Sequence, residues 1–546
     1  MKTLLLALLL AQQTPYIETL EVRVNNIDVV VTDRAGKAVR GLRKEDFVVL
    51  EDGKPQAVTN FAEYADVILS RGDGEGSPGK IGGDPSPSAG LRMTPDAPAR
   101  AARRFVFFVD EMALHPVTRR KLAGSAKELL QGSMQPGDEA MILTPAAATK
   151  IALPFTSDRA AVGKTLEKII AATDSRAYTQ DAAELRYLET AVARAGTPEE
   201  MRLVIQSYAD SVRRRVEQRL GHLRGIVAGM SGMPGKKVLV LVATSLPATP
   251  GKDVVDQLWR REWGLPQMGR DFYDLSPRIS EVARTAAANG VTIYSLQPAY
   301  AMADVIGGPD IGRARGGGGP PRDIQSEITQ NELTFNTFSD ATGGKYFRGD
   351  ASVPTTFRQI ADDLTAYYSL GYRATESDTD KPHRVEVRVK DRPELRVRAR
   401  RDVVRKSPAQ EMEDLTVAAL LRTSNVNELG IAAELGPLAR QDRRVIIPVI
   451  VRIPLQNLTF LQTDTGHRAT FRVHFAALGQ RADFAAGEDR EQAIDVPAGE
   501  LEKARGRYFT YETKLRVSPG KYRIAVGVFD PVSRLAGFGT MDVDAK

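Results

Sequence analysis

Apolar and polar positions change rhythm along this chain, and each change marks a new unit. From Leu20 to Tyr64 the rhythm is that of strands: Val22 and Val24, then Ile27, Val29 and Val31, recur at every second position. Asp33-Arg34-Ala35-Gly36 reads as one turn and Glu51-Asp52-Gly53-Lys54 as another, with Asp-Gly at its centre. In the strand between them Phe47 and Val49 fall on one face, Val48 and Leu50 on the other. The spacing predicts a small antiparallel β-sandwich over residues 18–66. Gly, Pro and Ser then crowd together without periodicity from Arg71 to Pro98, so residues 67–102 are expected to form a linker.

At Arg103 the grammar changes. Phe105 to Val109 is an unbroken apolar run, as a strand buried on both faces requires, and Asp110 ends it. Helical spacing follows over Val117 to Leu130, then strands at Glu139 to Leu143 and Lys150 to Leu153, then a helix at Arg159 to Ile170. A long, charged helical stretch from about Asp181 to Val227 precedes another purely apolar strand, Val238 to Ala243. A helix at Ile279 to Ala288 leads through Asn289-Gly290 into the strand Val291 to Leu296. Strands alternating with helices, with apolar strands at the centre, predict a doubly wound parallel α/β sheet across 103–405, with 181–227 as a helical insertion.

Within that span Ala303 to Arg322 reads as a Gly-rich loop, and Ile328 to Ala341 and Phe357 to Ala366 as helices, the first ended by Gly343-Gly344. Tyr367 to Tyr372 and the alternating His383 to Arg400 are expected to be strands that extend the same domain. A third unit spans 411–546. After a short helix over Leu415 to Leu421 it runs through strands at Val445 to Ile453, Ala469 to Phe475, Tyr508 to Val517 and Lys521 to Phe529. Ser518-Pro519-Gly520 is the turn between the last two, and the pattern is that of a second β-sandwich.

Composition narrows the function. At 546 residues the chain can bury several cores, and 42% hydrophobic with 26% charged residues is a globular balance. Lys and Arg number 75 against 69 Asp and Glu, a net +6 that is small for this length. The densest basic runs, Arg213-Arg214-Arg215 and Arg396 to Arg401, are flanked or interrupted by apolar residues, so nucleic acid is not an expected partner. The absence of cysteine excludes disulfides, thiolate metal sites, cysteine nucleophiles and a cysteine-linked lipid anchor. Lys2, the apolar Leu4 to Leu10 and the small Ala11 read as an export signal over 1–13. That run falls short of the ~20 residues that span a bilayer, and no other stretch approaches it. An exported chain, periplasmic or extracellular, without membrane insertion of its mature part is therefore expected.

Several multi-residue motifs carry a family resemblance. Val29-Val30-Val31-Thr32-Asp33, Gly36, Val39, Gly41-Leu42, Glu45-Asp46-Phe47, Glu51-Asp52-Gly53 and Gln56 resemble the N-terminal module of the VWFA-related proteins described in acidobacteria. Pro154-Phe155-Thr156-Ser157-Asp158, Ala341-Thr342-Gly343-Gly344-Lys345-Tyr346-Phe347, Tyr367-Tyr368-Ser369-Leu370-Gly371-Tyr372 and Val397-Arg398-Ala399-Arg400 follow in the same order. The resemblance covers roughly residues 20–400. It implies an A-type domain in the middle, so that, with the strand patterns on either side, the expected fold is a multidomain chain with a central doubly wound von Willebrand A-like (Rossmann-like) sheet flanked by N- and C-terminal β-sandwiches. It implies no activity, because members mostly lack an established one.

The resemblance also implies where a divalent cation would sit. A-type domains hold one with Asp-x-Ser-x-Ser after the first strand, a loop Thr, and an Asp after the fourth strand. Mg²⁺ asks for hard oxygen ligands in octahedral array. Here Asp110 takes the first position, but the two Ser positions fall on Met112 and Leu114, and the later Asp-Gly appears as Thr244-Ser245. Loss of two hydroxyls and a charge, at about 1.5–3 kcal/mol for each charged contact, weakens such a site by several kcal/mol. No cofactor is expected, and Mg²⁺ or another divalent cation would need a remodelled site in which Glu111 and His115 substitute in part. The plain alternatives are that Glu111 is a solvated loop acid, His115 a surface residue before Pro116, and Asp110 a helix cap or an acceptor for loop amides.

Other motifs fall away. Gly229 to Lys237 has the wrong spacing for a phosphate loop and precedes a strand instead of following one. The five His lack metal-ligand spacing, and Ser231 lacks a nucleophile elbow. Tyr367, Tyr368 and Tyr372 either pack a strand or form an exposed aromatic ladder for glycans. The expected function is that of a non-catalytic scaffold for an unidentified protein partner, binding around Asp110, Glu111, His115, Thr244 and Ser245. The alternative is a metal-dependent adhesin that uses a cation on Asp110 to capture an acidic group. The insertion 181–227 could be a partner-binding hairpin or a lid.

Overall fold

A computed structural model describes residues 24–65, 102–110, 134–145, 149–171, 176–243, 245–252, 254–256, 273–298, 324–349, 353–373, 379–422, 426–479, 484–486 and 490–546. The expected export signal, the linker, the helix at Val117 to Leu130 and the Gly-rich loop lie outside the described residues, apart from the linker's last position. The chain opens with strands β1 (Val24–Thr32), β2 (Phe47–Glu51), β3 (Lys54–Gln56) and β4 (Val58–Ala65). Asp52 and Gly53, at φ 49° and 77°, close the β2–β3 hairpin, the conformation that favours Asp-Gly.

The central unit is a six-stranded sheet. Its strands are β5 (Arg103–Val109), β6 (Glu139–Pro145), β7 (Thr149–Thr156), β8 (Lys236–Val242), β9 (Val291–Pro298) and β10 (Tyr346–Gly349), in the order β10-β9-β8-β5-β6-β7. All pairs are parallel except β6–β7, which is antiparallel. The expectation of a wholly parallel sheet is corrected at that edge. β6 and β7 are joined by too few residues for a crossover helix, which a parallel pair would require.

Both faces of this sheet are covered, which is why its strands are apolar throughout. Val106, Phe108, Leu239 and Leu241 pack beneath helices α3 (Pro198–Ser231), α4 (Ser276–Ala288) and α5 (Ile324–Thr342). Phe105, Phe107, Val238 and Val240 face the other way, against α1 (Arg159–Ala171) and α6 (Val353–Thr365). The charged stretch is a pair of helices, α2 (Arg176–Arg194) and α3, in mutual contact. In α3, Val216, Leu220, Leu223 and Val227 form the stripe that reaches the sheet.

The strands after α6 do not extend the central sheet, contrary to expectation. β11 (Ala366–Arg373) lies between β1 and β4, and β13 (Arg396–Ala399) pairs with the other edge of β1. β12 (Pro382–Val389) pairs with β2 and with β14 (Asp402–Val404). The N-terminal strands thus need the segment 366–404 to complete two four-stranded sheets around one core of Ile27, Val29, Val49, Tyr368, Leu370 and Val387. The physical reason is hydrophobic pattern: β12 is buried on alternate residues only, so it suits a one-sided sheet and not the two-sided central one. Ala65 at the end of β4 stands opposite Ala366 at the start of β11, so the central unit leaves and re-enters at a single strand end. Tyr368 and Tyr372 are buried, which makes them packing residues and not an exposed ladder.

Helix α7 (Pro408–Ala419), capped by the Ser407 hydroxyl accepting from the Gln410 amide, lies against α3 and the third unit. There the strands are β15 (Ala432–Leu435), β16 (Ala439–Gln441), β17 (Arg444–Pro454), β18 (Leu461–Thr463), β19 (Gly466–Gly479), β20 (Phe484–Ala486), β21 (Arg490–Pro497), β22 (Tyr508–Val517), β23 (Gly520–Phe529) and β24 (Ala536–Ala545). One sheet is built on β17, the other on β19 and β23, with Ile447, Val451, Phe471 and Val526 between them. The turn at Ser518-Pro519-Gly520 does not close a hairpin: β22 pairs with β17 while β23 pairs with β19 and β24. No helix among the described residues is long and apolar enough to cross a membrane.

Candidate functional site

In the central sheet the chain moves to one side after β5 (β6, β7) and later returns to the other (β8, β9, β10). That reversal makes the C-terminal ends of β5 and β8 the switch point of the sheet, the usual binding place of open α/β sheets. Asp110 lies at the β5 end, 1% exposed, its amide donating to the Val242 carbonyl at 2.9 Å. Ser245, half-buried, follows β8. The structure thus brings Asp110 and the Ser245 segment to one end of the sheet. Glu111, His115 and Thr244 lie outside the described residues.

What faces Asp110 is a cation from the protein itself. Arg219 of α3 places its Nε 3.1 Å from Asp110 Oδ2. The Arg219 guanidinium also donates to the Ser245 carbonyl at 3.4 Å. Asn331 of α5, fully buried, accepts the Leu246 amide at 2.7 Å through Oδ1, with the Ser245 hydroxyl 3.5 Å from the same oxygen. Asp110 Oδ1 and Asn331 Nδ2 have no hydrogen-bond partner among the described residues. The neighbourhood is therefore a carboxylate held by a guanidinium, with one acceptor and one donor still open.

No sequence motif points to Arg219 or Asn331, although helical spacing carries a signal for Arg219. Val212, Val216, Arg219, Leu223, Ile226 and Met230 recur at alternate spacings of four and three along α3, so Arg219 occupies a core-facing place. A charge on such a stripe needs a buried partner. Asn331 gives no comparable signal, because its helix shows no clean polar–apolar division from sequence.

A divalent cation at Asp110 would need several hard oxygen ligands. Among the described residues no group of three or more His, Asp or Glu gathers where an ion could be held. The one carboxylate present already has a positive partner. Two like unit charges about 4 Å apart near a protein surface repel by about 4 kcal/mol, and a divalent ion doubles that. The described donor set does not fit such an ion.

The motifs that carry the family resemblance turn out to be scaffold. Asp158 Oδ1 accepts the amides of Ala160 and Ala161 and so caps α1. Thr342 Oγ1 accepts the Ile293 amide at 3.0 Å, joining α5 to β9. The Tyr368 hydroxyl donates to the Val39 carbonyl at 2.9 Å and accepts the Leu42 amide at 3.2 Å.

No protein-family profile matches the chain, and no curated protein matches it. Solved structures do. An aerotolerance-related membrane protein from Bacteroides fragilis is 14% identical, with a TM-score of 0.23, over 48% of this chain and 98% of that one. A von Willebrand factor type A protein from Catenulispora acidiphila is 8% identical, with a TM-score of 0.25, over 57% and 68%. The von Willebrand domain of a type V pilus tip protein from Porphyromonas gingivalis is 11% identical, with a TM-score of 0.24, over 49% and 96%. The solved structures to which this chain is similar thus include von Willebrand type A domains.

Proposed function

We propose that the chain is an exported, non-catalytic protein-interaction scaffold. Its two β-rich units act as β-sandwich spacers, and its von Willebrand A-like domain presents the end of the central sheet around Asp110 and Ser245 to a protein partner, through a metal site that has lost most of its ligands. The observation that carries this reading is the Asp110–Arg219 ion pair at the sheet's switch point. It places a neutralised, positioned polar cluster where a catalytic or metal-binding group would be needed for chemistry. An enzymatic reading would require a nucleophile, a base and an orienting group within hydrogen-bond reach, and the cluster at Asp110, Arg219, Ser245 and Asn331 offers no nucleophile–base pair.

The second reading is a metal-dependent adhesin. The open Asp110 Oδ1 favours it, since a buried carboxylate oxygen without a partner is a potential ligand. A photo-crosslinking residue introduced at Ser245 in the full-length protein, in cells of the bacterium that encodes it, separates the two. An adduct formed with divalent ions chelated supports the scaffold. An adduct that needs divalent ions supports the adhesin. Adducts from the same residue introduced on other faces, with none at Ser245, would sink both.

A further inference from the structure

The cation that an A-type sheet would borrow from solution is here supplied by helix α3. We infer that Arg219 is a tethered counter-ion: it takes over at Asp110 the electrostatic role of a divalent ion, makes this end of the sheet indifferent to metal, and pins α3 over it. The inference rests on the metal-free half of the proposed function and deepens it.

Three observations converge. Asp110 is buried, its side chain 2% exposed, so its charge needs a compensating partner within the protein. Arg219 is the more open member, its side chain 20% exposed, and stands on a stripe otherwise made of Val216, Leu223, Ile226 and Met230. The same guanidinium reaches the Ser245 carbonyl, so it bridges the segments that follow β5 and β8. Neighbouring cations on α3 are otherwise engaged: Arg213 with Glu217 at 3.0 Å and Arg215 with Glu184 at 2.7 Å. Arg219 alone among these three pairs with a buried carboxylate.

The test is the thermal midpoint of the full-length protein in EDTA and in millimolar Mg²⁺, Mn²⁺ or Ca²⁺. Wild type should melt identically in all four. Arg219→Gln should melt lower in EDTA, because Asp110 is then a buried carboxylate without a counter-ion, and should recover part of the loss in millimolar Mn²⁺ or Mg²⁺, held weakly by that one carboxylate and water in place of the guanidinium. The double variant Arg219→Gln with Asp110→Asn should show no recovery. Arg219→Lys, which keeps the charge, should stay indifferent to metal and serves if Arg219→Gln does not fold. An Arg219→Gln variant that melts like wild type and ignores metal would overturn the tethered counter-ion while leaving the scaffold reading intact. A wild-type midpoint raised by metal, with the rise lost in Asp110→Asn, would overturn both this inference and the metal-free reading. An Arg219→Lys midpoint raised by Mn²⁺ would overturn the inference as well.

Discussion

Arg103 and Asp138 form the most enclosed ion pair of the central unit: Arg103 Nη2 lies 2.6 Å and Nε 3.0 Å from Asp138 Oδ2, with both side chains almost wholly buried. The Asp138 carboxylate also accepts the Arg103 amide at 2.9 Å and the Gln135 amide at 2.8 Å, and Arg103 donates to the Leu364 carbonyl at 3.2 Å. It ties the start of β5 to the turn before β6 and to the end of α6. Burial alone would raise the Asp138 carboxyl, but its hydrogen bonds with Arg103 and Gln135 outweigh that and hold it below the usual value. The stability this confers is present above the ordinary carboxylate pKa and is lost as pH falls through the lowered one. Asp138→Ala should cost about 3–5 kcal/mol, the range for removing one member of a buried pair. Asp138→Asn should cost less, since its oxygen still accepts a backbone amide. Urea unfolding followed by circular dichroism measures both, and a loss for Asp138→Ala below the ~1 kcal/mol of an exposed pair would contradict the buried ion-pair account.

Gly344 offers a sharper steric test. A Cβ there would stand 1.9 Å from the Ile293 carbonyl oxygen, which is backbone of β9 and cannot rotate away. Gly344→Ala should therefore cost at least the 1–3 kcal/mol typical of overpacking. Gly41→Ala is the control: it meets nothing within 4 Å but sits at φ +76°, so only backbone strain of about 1–2 kcal/mol applies. A smaller loss for Gly344→Ala than for Gly41→Ala would contradict the close approach.

The central strands were legible because burial on both faces leaves an unmistakable mark: Phe105 to Val109 and Val238 to Val242 contain no polar residue. Asp110 was legible as the first polar position beyond such a strand. The pairing of β11 to β14 with the N-terminal strands was not, since a period of two fixes which face is buried but not which distant strand lies alongside. The partner of Asp110 was hidden for a similar reason. Arg219 lies 109 positions further along the sequence, and helical spacing shows that it points inward without showing at what. Asn331 sits on a helix whose polar and apolar residues mingle, so nothing distinguished it from Asn336 or Gln330.

The position of Ala65 opposite Ala366 makes a separable module of the N-terminal strands. Residues 24–65 alone lack β11 and β12, which cover both edges of β1 and β2 together with β13 and β3. That fragment should be unfolded. A chain of residues 24–404 in which Asn-Gly replaces 66–365 should instead fold cooperatively, because paired antiparallel residues stand only about 4.5–5.5 Å apart and a two-residue turn closes them. Excision also removes Lys236, which pairs with Asp28 at 3.1 Å and stacks over Tyr367 at 3.4 Å, so the module should melt below the whole protein. A dispersed amide spectrum from the spliced chain and a collapsed one from 24–65 would agree with this topology. Folding of 24–65 by itself would contradict it.

Lys237 sets a pH dependence at the opposite end of the sheet from Asp110. Its ammonium donates to the Ser231 carbonyl at the end of α3, at 3.2 Å, and shares that acceptor with Lys406. Burial, aided by the neighbouring charges of Lys406 and Arg400, pushes its pKa down from 10.5 to about 7. Between those two values the unfolded chain holds the proton and the folded chain releases it. Stability therefore rises with pH across that window, by at most about 1.4 kcal/mol per pH unit from this group. Below pH 7 both states are protonated, the slope from this residue vanishes and its full cost remains. Lys237→Met removes the cost, while Lys406 remains to serve the Ser231 carbonyl. The variant should be more stable than wild type at pH 6, with a gap that narrows toward pH 9.5. Urea midpoints at pH 6, 8 and 9.5 measure this directly, and parallel profiles for the two proteins would mean that Lys237 keeps its proton in the fold.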